Sequence, residues 1–260
     1  PQNFDLKFYG AVPADEALSR SLNVPAVHML RRYGVPKFHD LLIRSGMSTL
    51  TKEPSHYGLS IILGGAEGRL LEVTAIYAML AKIAEDGEIT DEGDCFTKDF
   101  PLKDKVAIYY TLEALKEVNR PDEMDWRMVS SIRKVAWKTG TSFGFRDGWA
   151  VGVTPGYAVG VWAGNAQGQG VPGLVGAKTA GPVMFDIFNI LPQTGWFPEP
   201  YKDYINAEVC RQSGHLKGMY CTDTDTLMLP PNAVRSEPCP YHRQVNLDPE
   251  GKYRVPYGTA

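Results

Sequence analysis

The sequence predicts an α+β fold, in which helices pack against an antiparallel sheet and a small cysteine-containing appendage follows. Three observations carry this prediction. Apolar residues in the first half of the chain recur at helical spacing, residues 134–163 contain short β-branched and aromatic runs, and proline, glycine and polar residues dominate from residue 192 onward. In this order, helices come first, a meander of strands follows and a helix closes the domain, which is typical of α+β folds.

Prolines and glycines mark the ends of the predicted helices. Pro25 opens one segment that Gly34 ends, and Pro36 opens the next, which ends at Gly46. Apolar residues recur every three or four positions along the longest segment, which Gly87 caps. The expected helices cover residues 14–18, 26–33, 38–44, 67–86, 103–118 and 179–191.

Tight turns separate the predicted strands. Gly144 lies in the first turn and Pro155-Gly156 in the second. Connections this short join neighbouring antiparallel strands, whereas parallel strands need a crossover of a dozen residues or more. The expected strands cover residues 134–139, 147–153 and 157–163.

Composition places the chain among globular proteins and excludes several classes. The 260 residues include 27 basic and 30 acidic side chains, for a net charge of −3, with 43% hydrophobic residues. These values exclude an intrinsically disordered chain and a nucleic-acid-coating protein, which needs a cationic surface. We expect a main domain over residues 1–195 and a linker with a small appendage over 196–260. Because the chain begins at Pro1 without a targeting signal, we expect a piece of a longer or processed protein.

Lys138-Thr139-Gly140-Thr141-Ser142 is the sharpest local motif, at the end of a predicted strand. Alternation along a strand places Thr139 and Thr141 on one face and Lys138 on the other. Two hydroxyls beside a cation suit a carboxylate ligand, and Gly140 allows another element to approach the backbone. A free backbone N–H at Thr141 would suit a developing oxyanion. The alternative is a strand that runs into a turn with a solvated lysine.

Ser21-Leu22-Asn23 is a second candidate. We expect an extended or turning segment here, because Pro25 disfavours a helical conformation at Val24. In such a segment, a hydroxyl and an amide two residues apart can relay a proton and hold a substrate amide. The alternative is a pair of polar residues that cap a helix.

Several segments taken together resemble the transpeptidase domain of penicillin-binding proteins, and within that family the bifunctional class A type 1C. The resemblance extends over about residues 1–192, and the cysteine-containing tail is similar to that type as well. The segments are Ser-Leu-Asn-Val-Pro-Ala-Val at 21–27, Tyr-Gly-Leu-Ser-Ile-Ile-Leu-Gly-Gly-Ala-Glu at 57–67, Lys-Thr-Gly-Thr-Ser at 138–142, Val-Gly-Val-Trp-Ala-Gly-Asn at 159–165, Cys-Arg-Gln-Ser-Gly at 210–214 and Cys-Pro-Tyr-His at 239–242.

The resemblance implies a role for each motif residue. Ser21 would pass a proton to the leaving amine, and Asn23 would hold the peptide amide and orient the base. Lys138 would supply positive potential beside Ser21. Thr139 and Thr141 would bind the terminal D-Ala carboxylate, with the Thr141 backbone completing an oxyanion hole.

It also implies an activity and partners: serine acyl transfer that cross-links peptidoglycan stem peptides and that β-lactams inhibit. No cofactor, metal ion or nucleic acid is expected. The full-length protein would be anchored in the membrane on its extracytoplasmic side, with an N-terminal part as a possible partner. Two alternatives are a non-catalytic penicillin- or peptidoglycan-recognising module and a non-catalytic interaction piece whose tail mediates contacts.

One feature departs from the family pattern. The family's nucleophile motif, Ser-x-x-Lys, precedes Ser-x-Asn by several dozen residues, but here only twenty residues precede Ser21. The chain's one Ser-x-x-Lys, at Ser131–Lys134, comes just before the Lys-Thr-Gly strand and in the wrong order, so we interpret it as a polar turn. We therefore expect no acylating serine in this chain.

The cysteines are unevenly spaced, with Cys95 alone and Cys210, Cys221 and Cys239 in the last third. A disulfide is the favoured interpretation, because the family works outside the cytoplasmic membrane. In that case Cys210 and Cys221 would close a small loop. A zinc site that adds His242 and a set of free thiols are the alternatives.

Overall fold

The computed structural model describes residues 2–3, 5–88, 99–119 and 133–255. The chain forms two compact units, Pro1–Glu199 and Pro200–Ala260. None of the helices in the described ranges has the length and apolar character that crossing a membrane requires. The expected Ser-x-x-Lys turn at Ser131 and the isolated Cys95 lie outside the described residues.

The first unit begins with short helices, and longer helices pack around its sheet. The helices are α1 (Ala14–Ser19), α2 (Asn23–Tyr33), α3 (Val35–Arg44), α4 (Pro54–Tyr57), α5 (Leu70–Asp86), α6 (Lys105–Lys116) and α7 (Gly176–Ile190), with a 3₁₀ turn at Gly58–Leu63. The segment Pro54–Leu63 was not predicted. The longest helix begins at Leu70, three residues later than the periodicity predicts, after an extended Arg69.

Three antiparallel strands form the sheet in the order β1-β2-β3: β1 (Ala136–Thr141), β2 (Asp147–Thr154) and β3 (Tyr157–Gly164). These strands match the predicted ones to within two residues at each end. Strand β1 pairs only with β2 among the described strands, so its other side is a free edge.

Helices cover both faces of this sheet. A methyl group added at Gly152 in β2 would contact Met184 and Phe188 of α7, whereas one added at Gly160 in β3 would contact Thr74 of α5. Gly152 pairs with Val159, the neighbour of Gly160, and successive strand residues point to opposite faces. Helix α7 therefore lies on one face and α5 on the other.

The main core lies between these layers. Its largest fully buried members come from the sheet, from α5–α7 and from the connections between them: Trp137, Phe100, Phe188, Met79, Leu112 and Met184. The edge of Trp137 lies against the ring of Phe185, and its indole N–H donates to the Val118 carbonyl at 3.2 Å. Burying side chains of this size stabilises the unit by about 1.5–3 kcal/mol each. By contrast, Trp162 on β3 is 37% exposed and donates to Asp147 Oδ1.

The second unit contains two two-stranded sheets that the sequence analysis did not predict. Strands β4 (Ile205–Cys210) and β5 (Thr224–Leu229) pair along their whole length, and β6 (Asn246–Leu247) pairs with β7 (Arg254–Val255). A 3₁₀ turn at Pro231–Arg235 lies between the two pairs. Alternating burial is weak in β5, where most residues are exposed, so the period-two pattern used to detect strands is faint there.

Candidate functional site

The free edge of β1 carries backbone groups that no neighbouring strand uses. Ser142 N–H donates to the Asp147 carbonyl, which joins the end of β1 to β2. Backbone groups in an antiparallel pair point alternately toward and away from the partner strand, so those of Thr139 and Thr141 point away from β2. The Thr141 N–H is thus aimed off the sheet edge.

Lys138 brings a positive charge to this edge. Its Nζ donates to Ser21 Oγ and, at 3.0 Å, to the Thr139 carbonyl, which points off the edge. Ser21 and Lys138 are 117 residues apart in the chain. The fold therefore joins the two predicted motifs directly.

The end of helix α1 holds Ser21 in place. Leu22 N–H donates to the Ala17 carbonyl and Ser21 N–H to the Leu18 carbonyl, the pair of hydrogen bonds that ends a helix in a Schellman motif. Ser21 occupies the left-handed position of that motif, with φ 54°, where glycine is the usual residue. Leu22 is buried and anchors the connection. A non-glycine residue in this conformation indicates local strain that the site retains.

Asn23 is placed differently from the prediction. It is the first residue of α2 and not part of an extended segment, because Pro25 fits within the first turn of a helix, where its missing N–H costs nothing. Its amide Nδ2 donates to the Gln2 carbonyl at 3.0 Å. The structure therefore joins Ser21 to Lys138 but does not join Asn23 to either.

A residue that the sequence analysis missed supports the start of α2. Asn3 is 4% exposed, and its Oδ1 accepts from Val24 N–H at 3.1 Å while its Nδ2 donates to the Lys7 carbonyl at 2.7 Å. Asn3 thus caps α2 from a distant part of the chain. No local pattern in the sequence marks a cap that comes from twenty-one residues away.

The three remaining motif residues differ in their surroundings. Thr141 Oγ1 accepts from the Gly176 N–H at the start of α7, at 3.0 Å, and its own hydroxyl hydrogen stays free to donate. The Thr139 hydroxyl makes no hydrogen bond to any other residue in the described ranges. A methyl group added at Gly140 would lie 3.5 Å from Trp149 Cβ, an ordinary contact, so space is open at this position.

Burial changes the protonation of Lys138. The half-buried ammonium loses hydration, which lowers its pKa from 10.5 to about 8. At neutral pH about a tenth of the Lys138 side chains are then uncharged. The group supplies positive charge for most of the time and can also exchange a proton with the exposed Ser21 hydroxyl.

Together these groups can bind an anion and move a proton. Strand β1 carries a cation and an outward-pointing backbone N–H at its edge and two threonine hydroxyls on one of its faces, and a serine hydroxyl contacts the cation. Such donors stabilise a carboxylate or a developing oxyanion.

A second cluster lies entirely in the unit Pro200–Ala260. Cys210, Cys221 and Cys239 are free and buried, so the favoured disulfide is wrong. Their sulfurs and the Nδ1 of His242 all lie within 4.8 Å of one another. The physical reason is that all three thiols converge with the imidazole on one point. A disulfide would join only two of the sulfurs and would pull them out of this four-sided cluster.

The chain is similar in sequence to known proteins over most of its length. It is 35% identical over 191 residues to penicillin-binding protein 1C of Escherichia coli, which covers 74% of this chain and 24% of that protein. It is 31% identical over 165 residues to penicillin-binding protein 4 of Bacillus subtilis, which covers 57% of this chain and 26% of that protein. The chain thus spans about a quarter of the length of these relatives. No family model matches it.

Solved structures share the fold. The crystal structure of penicillin-binding protein 1A from Haemophilus influenzae superposes with a TM-score of 0.61 and 16% identity, and the match covers 88% of this chain and 42% of that one. Pseudomonas aeruginosa PBP2, crystallised in complex with WCK 5153, superposes with a TM-score of 0.55 and 20% identity over 76% of this chain and 54% of that one. These likenesses establish the predicted α+β architecture.

Proposed function

Because this chain belongs to the penicillin-binding protein family, as a type 1C-like transpeptidase portion, we propose that it supplies the carboxylate-binding and proton-relay side of a peptidoglycan D,D-transpeptidase site. The observation that carries the proposal is the hydrogen bond from Lys138 to Ser21 beside the free edge of β1. We assign this role to residues 1–195. The whole protein is proposed to act at the extracytoplasmic face of the membrane.

The reaction proposed for the whole protein is an acyl transfer in two steps. A serine hydroxyl adds to the carbonyl of the penultimate D-Ala, the bond to the terminal D-Ala breaks, and the departing nitrogen takes a proton. An amine of a neighbouring strand then takes the acyl group from the serine ester. Ser21 is suited to deliver the proton to the departing nitrogen, because its hydroxyl is exposed and contacts a lysine of lowered pKa.

Recognition of the terminal carboxylate is proposed for β1. The Thr139 and Thr141 hydroxyls share the strand face opposite the Lys138 side chain, whose ammonium reaches the strand edge. One charge-assisted contact contributes about 1.5–3 kcal/mol, whereas a neutral hydroxyl contributes about 1 kcal/mol. Lys138 should therefore contribute most of the affinity for the carboxylate, and each threonine should contribute a smaller part.

The acylating serine is not assigned within this chain. We propose that a fluorescent penicillin leaves no covalent label on the purified 260-residue protein. Labelling that disappears in the Ser131→Ala variant would show that Ser131 is the nucleophile and would overturn the motif assignment. The Ser60→Ala variant is the matched control, because the Ser60 hydroxyl donates to the Tyr57 carbonyl and lies in the 3₁₀ turn.

Binding tests the proposal without requiring the nucleophile. Backbone amide NMR signals of the chain are followed as a stem peptide ending in D-Ala-D-Ala is added, and then as the same peptide with an amidated C-terminus is added. We expect shifts at Thr139–Thr141 with the free acid and not with the amide. Lys138→Met should weaken binding about 10- to 150-fold, and Thr139→Val about 5-fold.

Thr226→Val is the matched control for the threonine, since Thr226 is an exposed strand residue in the other unit. Equal binding of both peptides, or equal effects of Thr139→Val and Thr226→Val, would contradict the proposal. Binding that survives amidation but requires Lys138 would favour the recognition-module alternative, in which the edge does not hold a carboxylate.

A further inference from the structure

The small unit contains a cluster of metal-binding side chains that the proposed function does not use. Its Cys210 ends β4, Cys221 lies between β4 and β5, and Cys239 and His242 lie in the loop after β5. The three sulfurs lie 3.3, 3.4 and 3.4 Å from His242 Nδ1. Segments far apart in the chain thus converge on one point.

Hydrogen bonding does not explain this convergence. An imidazole nitrogen is either one donor or one acceptor, so it serves one of the three sulfurs and not all of them at equal distance. The opposite nitrogen, Nε2, lies 3.0 Å from Gln212 Oε1, an acceptor, and so carries the proton. That tautomer leaves the Nδ1 lone pair directed at the three sulfurs.

The distances match a tetrahedral metal centre. With Zn–S of about 2.3 Å and Zn–N of about 2.0–2.1 Å, tetrahedral ligands place sulfur and nitrogen about 3.6 Å apart and two sulfurs about 3.8 Å apart. The observed sulfur–nitrogen distances of 3.3–3.4 Å, and a cluster in which all ligand atoms lie within 4.8 Å, are close to those values. A disulfide would bring two sulfurs to about 2.05 Å and leave one thiol over.

We propose that Cys210, Cys221, Cys239 and His242 bind one Zn²⁺ in a closed, structural site. Three thiolates with one imidazole form a tetrahedral set typical of structural zinc, with no position left for substrate. Neighbouring groups already donate to the sulfurs. Ser213 Oγ donates to Cys239 at 3.2 Å and Gly218 N–H to Cys221 at 3.3 Å, as outer-shell partners of metal ligands do.

The packing of the unit indicates what the ion is for. Within the described part of residues 201–255, the buried apolar side chains are Val209 and the three cysteines. Natural units of this size with so small a core commonly gain stability from a metal ion or a covalent link. Binding free energy at a structural zinc site is folding free energy, so the ion would hold β4, β5 and the following loop together.

The test begins with the full chain, purified under reducing conditions with zinc in the growth medium. We expect one zinc per chain by elemental analysis and four free thiols after denaturation with a chelator, since the sequence has four cysteines. X-ray absorption should fit three sulfurs at about 2.3 Å and one nitrogen at about 2.0–2.1 Å. Replacing zinc by cobalt should produce the intense visible bands of a tetrahedral thiolate site.

Substitutions distinguish the metal ligands from nearby residues that do not bind the ion. His242→Ala and Cys239→Ser should lose stoichiometric zinc, and Gln212→Ala should lower zinc affinity about 10- to 100-fold. The matched controls are Cys95→Ser and His215→Ala; His215 contacts Ser213 and Tyr241 without entering the cluster, so both controls should keep one zinc. If the ligand variants do not fold, the X-ray absorption and cobalt spectra of the unaltered chain still test whether three sulfurs and one nitrogen bind the ion.

Three outcomes would overturn the proposal. Two free thiols and no metal would show a disulfide, four free thiols and no metal would show an unliganded cluster, and stoichiometric iron or copper would show a different ion. None of these results bears on the Lys138 edge, so failure here is distinguishable from failure of the proposed function.

Discussion

Gly152 in β2 offers a sharp test of how α7 packs on the sheet that supports the Lys138 edge. A methyl group at this position would lie 2.9 Å from Met184 Sδ, 3.0 Å from Phe188 Cε2 and 3.0 Å from Val135 Cγ1. Ordinary contacts are about 3.5–4.0 Å, so each neighbour must recede by about 0.5–1 Å. All three are at most 1% exposed, so none of them can move out into solvent to relieve the contact. Overpacking of this kind costs about 1–3 kcal/mol.

Gly140→Ala is the matched control for Gly152→Ala. Both glycines lie in strands, and replacing either reduces the entropy of the unfolded chain by a similar amount, worth about 0.5–1 kcal/mol. The new methyl at Gly140 meets only Trp149, at 3.5 Å. The control variant therefore has the same change in unfolded-chain entropy but no steric clash. The difference between the two variants therefore measures the packing term, about 1–3 kcal/mol.

Tryptophan fluorescence during thermal and urea unfolding is the suitable assay. All five tryptophans lie in the unit Pro1–Glu199, so the signal reports on that unit. For about 200 residues, a loss of 1–3 kcal/mol lowers Tm by about 2–12 °C. Equal stability of Gly152→Ala and Gly140→Ala, within about 0.5 kcal/mol, would refute the placement of α7 against β2.

Three further variants test the site and its support by denaturant unfolding. Thr154 is 2% exposed and its hydroxyl has no partner among the described residues, so Thr154→Val should raise the free energy of unfolding by about 1 kcal/mol; a loss would show a hidden hydrogen bond. Between pH about 8 and 10.5, Lys138 binds fewer protons in the folded chain than in the unfolded chain, because its pKa is lowered only on folding. The free energy of unfolding of the parent, measured relative to that of Lys138→Met, should therefore rise with pH across this window. A difference that does not change with pH would contradict the lowered pKa. Ser21→Gly should be about 1 kcal/mol more stable than Ser21→Ala, because only glycine relieves the left-handed backbone; equal stabilities would argue against strain at Ser21.

The central sheet could be predicted because its signals are local. β-branched and aromatic runs of six to eight residues, with turns at Gly144 and Pro155-Gly156 between them, specify strands and hairpins without distant contacts. The same holds for the long helix that ends at Gly87, where spacing and a left-handed cap lie side by side in the chain. The start of α2 was missed because its cap, Asn3, comes from another part of the chain.

The appendage shows the limit of local reasoning. Its cysteines are spaced irregularly, and the sequence favoured a disulfide over a zinc site or free thiols, whereas the three sulfurs converge with His242 in the folded unit. Strand β5 was missed because most of its side chains are exposed, which removes the alternation that marks a strand.

From its order of residues alone, this protein could be assigned an α+β architecture, an antiparallel meander and two polar motifs suited to acyl transfer. The resemblance implied that Lys138 lies beside Ser21, which is 117 residues away. Only the folded chain showed the hydrogen bond between them, the bond from the Asn23 amide to the Gln2 carbonyl, and the convergence of three thiols on one imidazole. The physical reason is that turns and periodicity arise from forces between near neighbours, whereas convergence of side chains depends on how whole elements pack, and many sequences with the same local pattern pack differently.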